Sequence, residues 1–162
     1  MVEDSEFRIE KREVPALVRT HKHTALEGSF MCSAISAEHT GRERLTDLLN
    51  GPEPFVPFFE TKRQGATLIN KDHIFVVELK GPDVAHDDQL SNPMGEMHLI
   101  ELTLGTGGTF EGQCLVTGAA GHTRTLDYLN RTQHRFIYVD APEGYRILNL
   151  NHVISVRDLG KR

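Results

Sequence analysis

The sequence contains few cysteines and no long apolar run. Cys32 and Cys114 are far apart and form no CxxC or Cys/His finger spacing, which argues against a disulfide scaffold and a structural zinc site. We predict that both thiols are buried. No apolar segment approaches the roughly 20 residues of a membrane span, and the first residues, MVEDSEFRIEKREV, are charged where a signal peptide is apolar. These absences predict a cytosolic protein that binds no membrane.

Recognisable catalytic motifs are also missing. The sequence contains no recognisable Ser/His/Asp or Cys/His order of a nucleophilic enzyme. The GTGG segment at 105–108 suits a hairpin turn better than a phosphate-binding loop. We therefore predict a protein without enzymatic activity and without a cofactor.

A pair of histidines is the one candidate for metal binding. His21 and His23 stand two residues apart, so a strand would place both imidazoles on one face. A metal site would need a third ligand, for which the sequence places no residue nearby; the remaining candidates are His39, His86, Asp87 and Asp88. We interpret the pair as part of a solvated strand face, with a metal site as the alternative.

The acidic charge of the chain lies mainly outside its apolar segments. The net charge of −5 divides into −2 for residues 1–14, 0 for 15–80, −4 for 81–97 and +1 for 98–162. A protein that binds nucleic acid by releasing counterions needs a clustered basic face. Such a face is hinted at by four arginines: Arg124, Arg131, Arg135 and Arg146. Nucleic acid is therefore a possible partner that the charge distribution does not favour.

One short motif occurs twice. The segment GRERLTDLLNG at 41–51 matches GHTRTLDYLNR at 121–131, and the same ungapped match also pairs Gly28 with Gly108. With a shift of 79, LINKDHIFVVEL, which starts at Leu68, matches ILNLNHVISVRD, which starts at Ile147. Such self-similarity predicts two copies of one supersecondary unit.

Each copy has the same predicted order of elements. Alternating apolar residues predict an opening β-hairpin, and three leucines at i, i+3 and i+4 in RLTDLLNG predict a short helix. We expect Leu49, and Leu129 in the second copy, to be buried, and Asn50-Gly51 to end the helix in a left-handed conformation. Two strands, a one-turn connection and a fifth strand follow. Pro57 predicts that the first of these strands lies at a sheet edge.

The polar turn before the fifth strand also recurs. Asn70 and His73 in the first copy correspond to Asn149 and His152 in the second. Asparagine caps such turns through its side chain, and histidine can bond to nearby backbone. We interpret the turn as structural.

The predicted fold is mainly β and resembles a known architecture. Five short strands with a single turn before the last resemble a small SH3-like or Sm-like barrel. The series LTDLLN, FVPFF and LINKDH is similar to bacterial proteins of unassigned function that are built from a duplicated unit of this kind. The resemblance implies two tandem five-stranded barrels, each with one short helix, while the RNA-contacting signatures of Sm-like proteins are absent. The predicted segments are a charged tail (1–14), repeat 1 (15–80), an acidic linker (81–96) and repeat 2 (97–160).

Residues retained in both copies are candidates for a binding surface. An arginine and an aspartate three residues apart on a helix form an ion pair that contributes only a few tenths of a kcal/mol, so a shared ligand edge is an alternative reason for their presence. The candidate binding residues are Arg44, Asp47, Asn50, Arg124, Asp127, Asn130, Arg131 and Arg135.

Two functions from different classes follow from these features. The first is a non-enzymatic interaction or assembly module that binds a protein partner or self-associates through exposed strand edges. The alternative is an Sm-like RNA-binding or regulatory protein. The near-neutral charge of both repeats favours the first hypothesis.

Overall fold

A single antiparallel sheet dominates the structure. The computed structural model of the chain describes residues 10–20, 24–81, 83, 85, 95–118 and 124–161. Within these ranges, ten strands form one open sheet, accompanied by two short α-helices. The prediction of a mainly β fold is confirmed. The strands assigned to the two predicted barrels are joined in one continuous sheet.

Each half of the chain forms five strands and one short helix. The first half has β1 Lys11–Thr20, β2 Ala25–Ser33, α1 Leu45–Asn50, β3 Phe55–Glu60, β4 Thr67–Asn70 and β5 Ile74–Leu79. The second half has β6 Gly95–Leu104, β7 Thr109–Thr117, α2 Thr125–Arg131, β8 Phe136–Ala141, β9 Gly144–Asn149 and β10 Val153–Lys161. A single 3₁₀ turn precedes β5 and β10, at Lys71–His73 and Leu150–His152. The predicted order of elements in each half is confirmed.

The two halves have the same strand order. The first half runs β5-β1-β2-β3-β4 and the second runs β10-β6-β7-β8-β9. Asp47 and Asp127 are each the third residue of their helix. The halves meet where β9 pairs with β5, with Ile147 opposite Val77. This contact, which we call the joint, leaves β4 and β10 as the two end strands of the sheet.

The opening hairpins of the two halves align at a shift of 84 residues, whereas the sequence comparison used a shift of 80. Gly28 and Gly112 are the fourth residues of β2 and β7, whereas Gly108 lies in the turn before β7. The match of Gly28 with Gly108 is therefore wrong. The connection from second strand to helix spans 34–44 in the first half but 118–124 in the second, four residues fewer. A Cβ at Gly28 or Gly112 would press into the next strand, so both positions need glycine.

Pro57 does not mark an edge strand. Its strand, β3, lies between β2 and β4, so the predicted edge position is wrong. The pairing of β2 with β3 ends at Ser29 opposite Phe59. Pro57 lies beyond this point, where β4 is its neighbour, so its missing N–H removes no bond to β2.

Helix α1 ends without a left-handed residue. Gly51 has a φ of −61°, so the predicted cap is wrong. Lys71 Nζ instead donates to the carbonyl oxygens of Leu48 at 3.1 Å and Gly51 at 3.2 Å. The side chain is buried, and burial, together with the charge of Arg135, lowers the pKa of Lys71. A cation therefore supplies the hydrogen bonds that a left-handed turn would provide.

Two hydrophobic cores share the central strands. The first core, built around β1, β2 and α1, receives Phe136, Tyr138 and Ile147 from the second half. The second core receives Phe75 and Val76 from β5. Because β5, β8 and β9 send side chains into both cores, neither half buries its apolar residues alone.

The structure describes only part of the predicted tail and linker. β1 begins at Lys11, inside the predicted tail, and β6 begins at Gly95, inside the predicted linker. Most of both segments lies outside the described residues. Cys32 and Cys114 are buried and unbridged, as predicted, and burial raises the pKa of each thiol to about 12. None of the helices in the described ranges is long and apolar enough to cross a membrane.

The two helices differ in how deeply they are buried. The predicted burial is confirmed for Leu49, whereas Leu129 is only half-buried and Leu126 is exposed. The reason is that β8 of the second half packs on α1. Within the described residues, α2 has no such cover.

Leu49→Ala should lower the free energy of unfolding by roughly 2–4 kcal/mol, because it removes transfer energy and leaves a cavity. Leu126→Ala, on the exposed face of α2, is the matched control, with an expected change within about 0.5 kcal/mol. Urea denaturation of samples dilute enough to be monomeric measures both. A loss below about 0.5 kcal/mol for Leu49→Ala would contradict a core position of α1.

Candidate interaction site

Asn50 connects the two halves through both ends of its amide. Its Nδ2 donates to the Phe136 carbonyl oxygen at 2.9 Å, and the Phe136 N–H donates to its Oδ1, also at 2.9 Å. The side chain thus takes the place of a neighbouring strand residue at the start of β8. Of the predicted binding residues, Asn50 therefore has its partner inside the chain.

Asn149 forms a second connection across the joint. Its Oδ1 accepts the Asn151 N–H at 3.0 Å, which confirms the predicted cap of the 3₁₀ turn. Its Nδ2 donates to the Ile74 carbonyl oxygen of the first half, at 3.0 Å. Asn70 caps its own turn in the same way, accepting the Asp72 N–H at 3.0 Å. In the described part of the chain, however, the Asn70 amide nitrogen has no partner.

Charged and aromatic side chains complete the joint. Arg135 forms an ion pair with Asp72 and lies 5.3 Å above the ring of Phe136. His152 Nε2 lies 2.6 Å from the Asp72 carbonyl oxygen, so this histidine bonds to backbone as predicted, although across the joint. Its ring packs on Phe75 with centroids 4.1 Å apart.

Asp47 organises the segment before α1. Its Oδ2 accepts the Arg44 N–H at 2.8 Å and lies 2.7 Å from His39 Nε2. The Arg44 guanidinium is 3.9 Å from the same carboxylate. Among the described residues, Arg124 and Asp127 form no such ion pair. The two copies of the motif therefore have different environments.

The predicted binding residues do not converge on one surface. The first copy lines a crevice between α1 and the second half, formed in part by Arg44, Asp47, Asn50, Tyr128 and Phe136. In the second copy, Arg124 lines a separate pocket, and Asn130 and Arg131 are exposed on α2. A single ligand shared by both copies is therefore not favoured by this geometry.

The arginines that hint at a basic face are partly neutralised. Arg135 is paired with Asp72, and Arg146 lies 3.6 Å from both Glu78 and Glu143. Arg124 and Arg131 are the two exposed members of the set. Two arginines make a small contribution to nucleic-acid affinity.

A polar network that joins the buried residues Thr125 and His98 to the exposed carboxylate of Asp158 fixes α2 against the sheet. Thr125 Oγ1 donates to Asp158 Oδ2 at 2.6 Å, and His98 Nδ1 lies 3.1 Å from that hydroxyl and 3.2 Å from that carboxylate. In a nucleophilic triad, carboxylate and nucleophile contact opposite nitrogens of the imidazole. Here both contact Nδ1, so the arrangement suits structure rather than activation of Thr125.

The first half has apolar residues where the second half has this network. The positions that correspond to His98, Thr125 and Asp158 in strand and helix order are the buried residues Val14, Leu45 and Leu79. The sequence comparison paired Leu45 with Thr125 and Leu79 with Asp158, but its shift of 80 misaligned the hairpins and so missed His98. A shift of 84 there would have placed Val14 against His98.

Five of the six candidate metal ligands lie outside the residues that the structure describes. His21, His23, His86, Asp87 and Asp88 lie outside the described residues. The remaining candidate, His39, is bonded to Asp47. No group of three or more His, Cys, Asp or Glu side chains in the described ranges is arranged to hold a metal.

Apolar side chains are exposed at both ends of the sheet. Seven large apolar residues are exposed in the described chain, and five of them lie on β3, β4 or β10: Phe55, Phe59, Leu68, Ile154 and Leu159. Sequence reasoning missed them because an end strand shows the same apolar content as a buried strand. Apolar residues beside an edge that no described strand pairs make the two sheet ends the candidate interaction site.

The chain's own contacts are the basis for inferring a function. Comparisons of the chain with protein-family models, with curated proteins and with solved structures found no match.

Asn50→Ala should lower the free energy of unfolding by about 1–3 kcal/mol, because both backbone groups of Phe136 lose their partner at a partly buried joint. Asn130→Ala, at the corresponding exposed position of α2, should change it by less than about 0.5 kcal/mol. Urea denaturation of samples dilute enough to be monomeric measures both. Equal losses would contradict the role of Asn50 in the joint.

The polar network of Thr125, His98 and Asp158 should make the free energy of unfolding depend on pH in the acidic range. Hydrogen bonds from Thr125, the Gly160 N–H and His98 lower the pKa of Asp158. Because the folded pKa lies below the unfolded value of about 3.9, the stabilisation is complete above that value and is lost as pH falls through the folded pKa.

Asp158→Asn should therefore flatten the fall in unfolding free energy between about pH 4 and pH 2.5. Asp140→Asn, outside the network, should keep the wild-type slope. The measurement is the urea midpoint at each pH. An unchanged slope in Asp158→Asn would show that the network does not act on this carboxylate.

Proposed function

We propose that the protein is a non-enzymatic assembly module that self-associates, or binds a protein partner, through the two ends of its sheet. The observation that carries this proposal is that, among the described residues, β4 and β10 each have one side that pairs with no other strand and exposed apolar residues beside it. A strand edge of this kind presents unpaired N–H and C=O groups, which pair readily with another strand.

The chemistry of the end strands supports association. Proteins whose edge strands do not pair with other chains usually carry lysine or other charged residues on those strands. β4, with the sequence TLIN, has no charged residue, and neither do the first four residues of β10, VISV. Both segments therefore lack the protection that charged residues give against pairing, although a bulge between Val153 and Ser155 interrupts the second.

We further propose that each half is one copy of a small SH3-like or Sm-like unit. The support is the shared strand order, a helix at the same point of each half, and an asparagine-capped 3₁₀ turn before each fifth strand. A unit of this kind has two free edges. Two units in tandem pair one edge of each at the joint and leave the others free.

Light scattering should report a species larger than the 18.2 kDa chain, with a mass that rises with protein concentration. The species should persist at about 1 M salt, because strand pairing and apolar contacts are weakly screened. Leu68→Asp should weaken association about tenfold or more by placing a charge at the contact. Ile35→Asp, at an exposed apolar residue outside the strands of the sheet, is the matched control.

A different outcome would favour the RNA-binding alternative. A strict monomer that binds single-stranded RNA at low salt, and loses it when Arg124 and Arg131 are reversed to glutamate, would overturn the proposal. Arg135 is another of the four arginines that hint at a basic face. Arg135 is unsuitable for this test because its ion pair with Asp72 belongs to the joint.

A further inference from the structure

The end strands are the counterparts of the strands that form the joint. β4 holds in the first half the place of β9 in the second, and β10 holds the place of β5. Shared hydrogen bonds fix this equivalence: the Lys71 N–H donates to the Pro54 carbonyl oxygen, and the Leu150 N–H donates to that of Arg135. Positions in β4 and β5 therefore correspond to those 79 residues later in β9 and β10.

The β3 and β8 strands correspond through their partners. Phe55 lies opposite Asn70, and Phe136 lies opposite Asn149. Phe55 is thus the counterpart of Phe136.

Residues buried at the joint have exposed counterparts at the sheet ends. Phe136 and Ile147 are 1% and 0% exposed, whereas Phe55 and Leu68 are 51% and 64% exposed. These two belong to the β4 end.

The β10 end shows the same difference. Phe75 is 6% exposed and its counterpart Ile154 is 70% exposed, while Thr46 on α1 is 7% exposed and its counterpart Leu126 on α2 is 57% exposed. The β4 end therefore presents the apolar surface that β8 and β9 bring to the joint. The β10 end presents the surface that receives it.

The polar contacts of the joint have counterparts as well. Asn130 on α2 is exposed and corresponds to Asn50, whose amide holds the backbone of Phe136. Asn70 corresponds to Asn149, whose Nδ2 donates across the joint. The Asn70 amide, without a partner in the described chain, is placed at the β4 end.

We infer that the β4 end of one chain pairs with the β10 end of a second copy in the geometry of the joint. This inference rests on the proposed function and specifies its partner. Shifting the joint register Val77–Ile147 by 79 gives the predicted contact, Val156 of one chain opposite Leu68 of the next. Asn130 then holds the backbone of Phe55 in the neighbouring chain.

The contact between chains joins two different surfaces, so it is heterologous. Each chain that adds to the β4 end leaves its own β4 end free, and repeated addition gives a closed ring or an open filament. Bulges between Val153 and Ser155 and between Asp158 and Gly160 limit straight pairing in β10 to residues 155–158. Val156, the centre of the predicted contact, lies within this segment.

One feature of the joint is missing at the ends. The ion pair Arg135–Asp72 has the uncharged counterparts Pro54 and Asn151. The contact between chains therefore lacks this electrostatic contribution, which agrees with an association that resists salt.

Two variants that each block one end test the inference. Leu68→Asp blocks the β4 end, and Ile154→Asp blocks the β10 end; both residues are exposed, so the chain should still fold. Each variant alone should be a monomer by light scattering. An equimolar mixture should give a complex of two chains, twice 18.2 kDa, because one intact β10 end meets one intact β4 end.

The outcomes separate this inference from the proposed function. A wild-type chain that is monomeric at every concentration, and that captures no partner, would remove the proposed function itself. Self-association of the wild-type chain, with either blocked variant still forming dimers alone, would keep the proposed function and overturn head-to-tail pairing.

Disulfide trapping tests the register. A chain with Leu68→Cys mixed with a chain with Val156→Cys should form an interchain disulfide under mild oxidation, since residues directly opposite have Cβ atoms about 4.5–5.5 Å apart. Ser155→Cys, one residue away and facing the other side, is the matched control and should crosslink at least tenfold less. Equal crosslinking at both positions would overturn the register. The native Cys32 and Cys114 are buried.

Discussion

The pairing of β9 with β5 is the contact on which the rest of the structure depends. It brings Phe136, Tyr138 and Ile147 into the first core and leads Phe75 and Val76 into the second. Without it both cores would open to water, and the apolar surface of each would lose the transfer energy that stabilises it. The amides of Asn50 and Asn149 bridge the same contact, so that backbone groups beside the strand pair are also satisfied.

The two halves stabilise the same topology with different chemistry. In the first half, Lys71 reaches the carbonyl end of α1, and its counterpart Leu150 is apolar. In the second half, a hydrogen-bonded network centred on Thr125 replaces a buried apolar group. Strand order thus tolerates substitution at single positions, provided that each buried polar group finds a partner.

Local patterns in the sequence predicted the helices and strands, but they did not predict the contacts between residues far apart in the chain. The leucine spacing of RLTDLLNG and the glycine cluster at 105–108 placed a helix and a hairpin, and Gly107 has the positive φ that such a turn requires, 88°. The motif also singled out Asn50, but its partner Phe136 lies 86 residues away. Periodicity carries no information on which strands of two halves will pair, and a connection four residues longer hid the true match of the hairpins.

Within the described residues, the two halves leave both end strands of the sheet without a pairing partner. β4 and β10 lie at opposite ends of the sheet with eight strands between them, and the sheet is open. The joint buries the outer sides of β9 and β5. The equivalent sides of their counterparts, β4 and β10, stay exposed. A third unit added to the chain would bury one pair of surfaces and expose another pair. In the proposed head-to-tail pairing, the unpaired ends therefore move outward with every unit, and they are removed only when the last β4 pairs with the first β10.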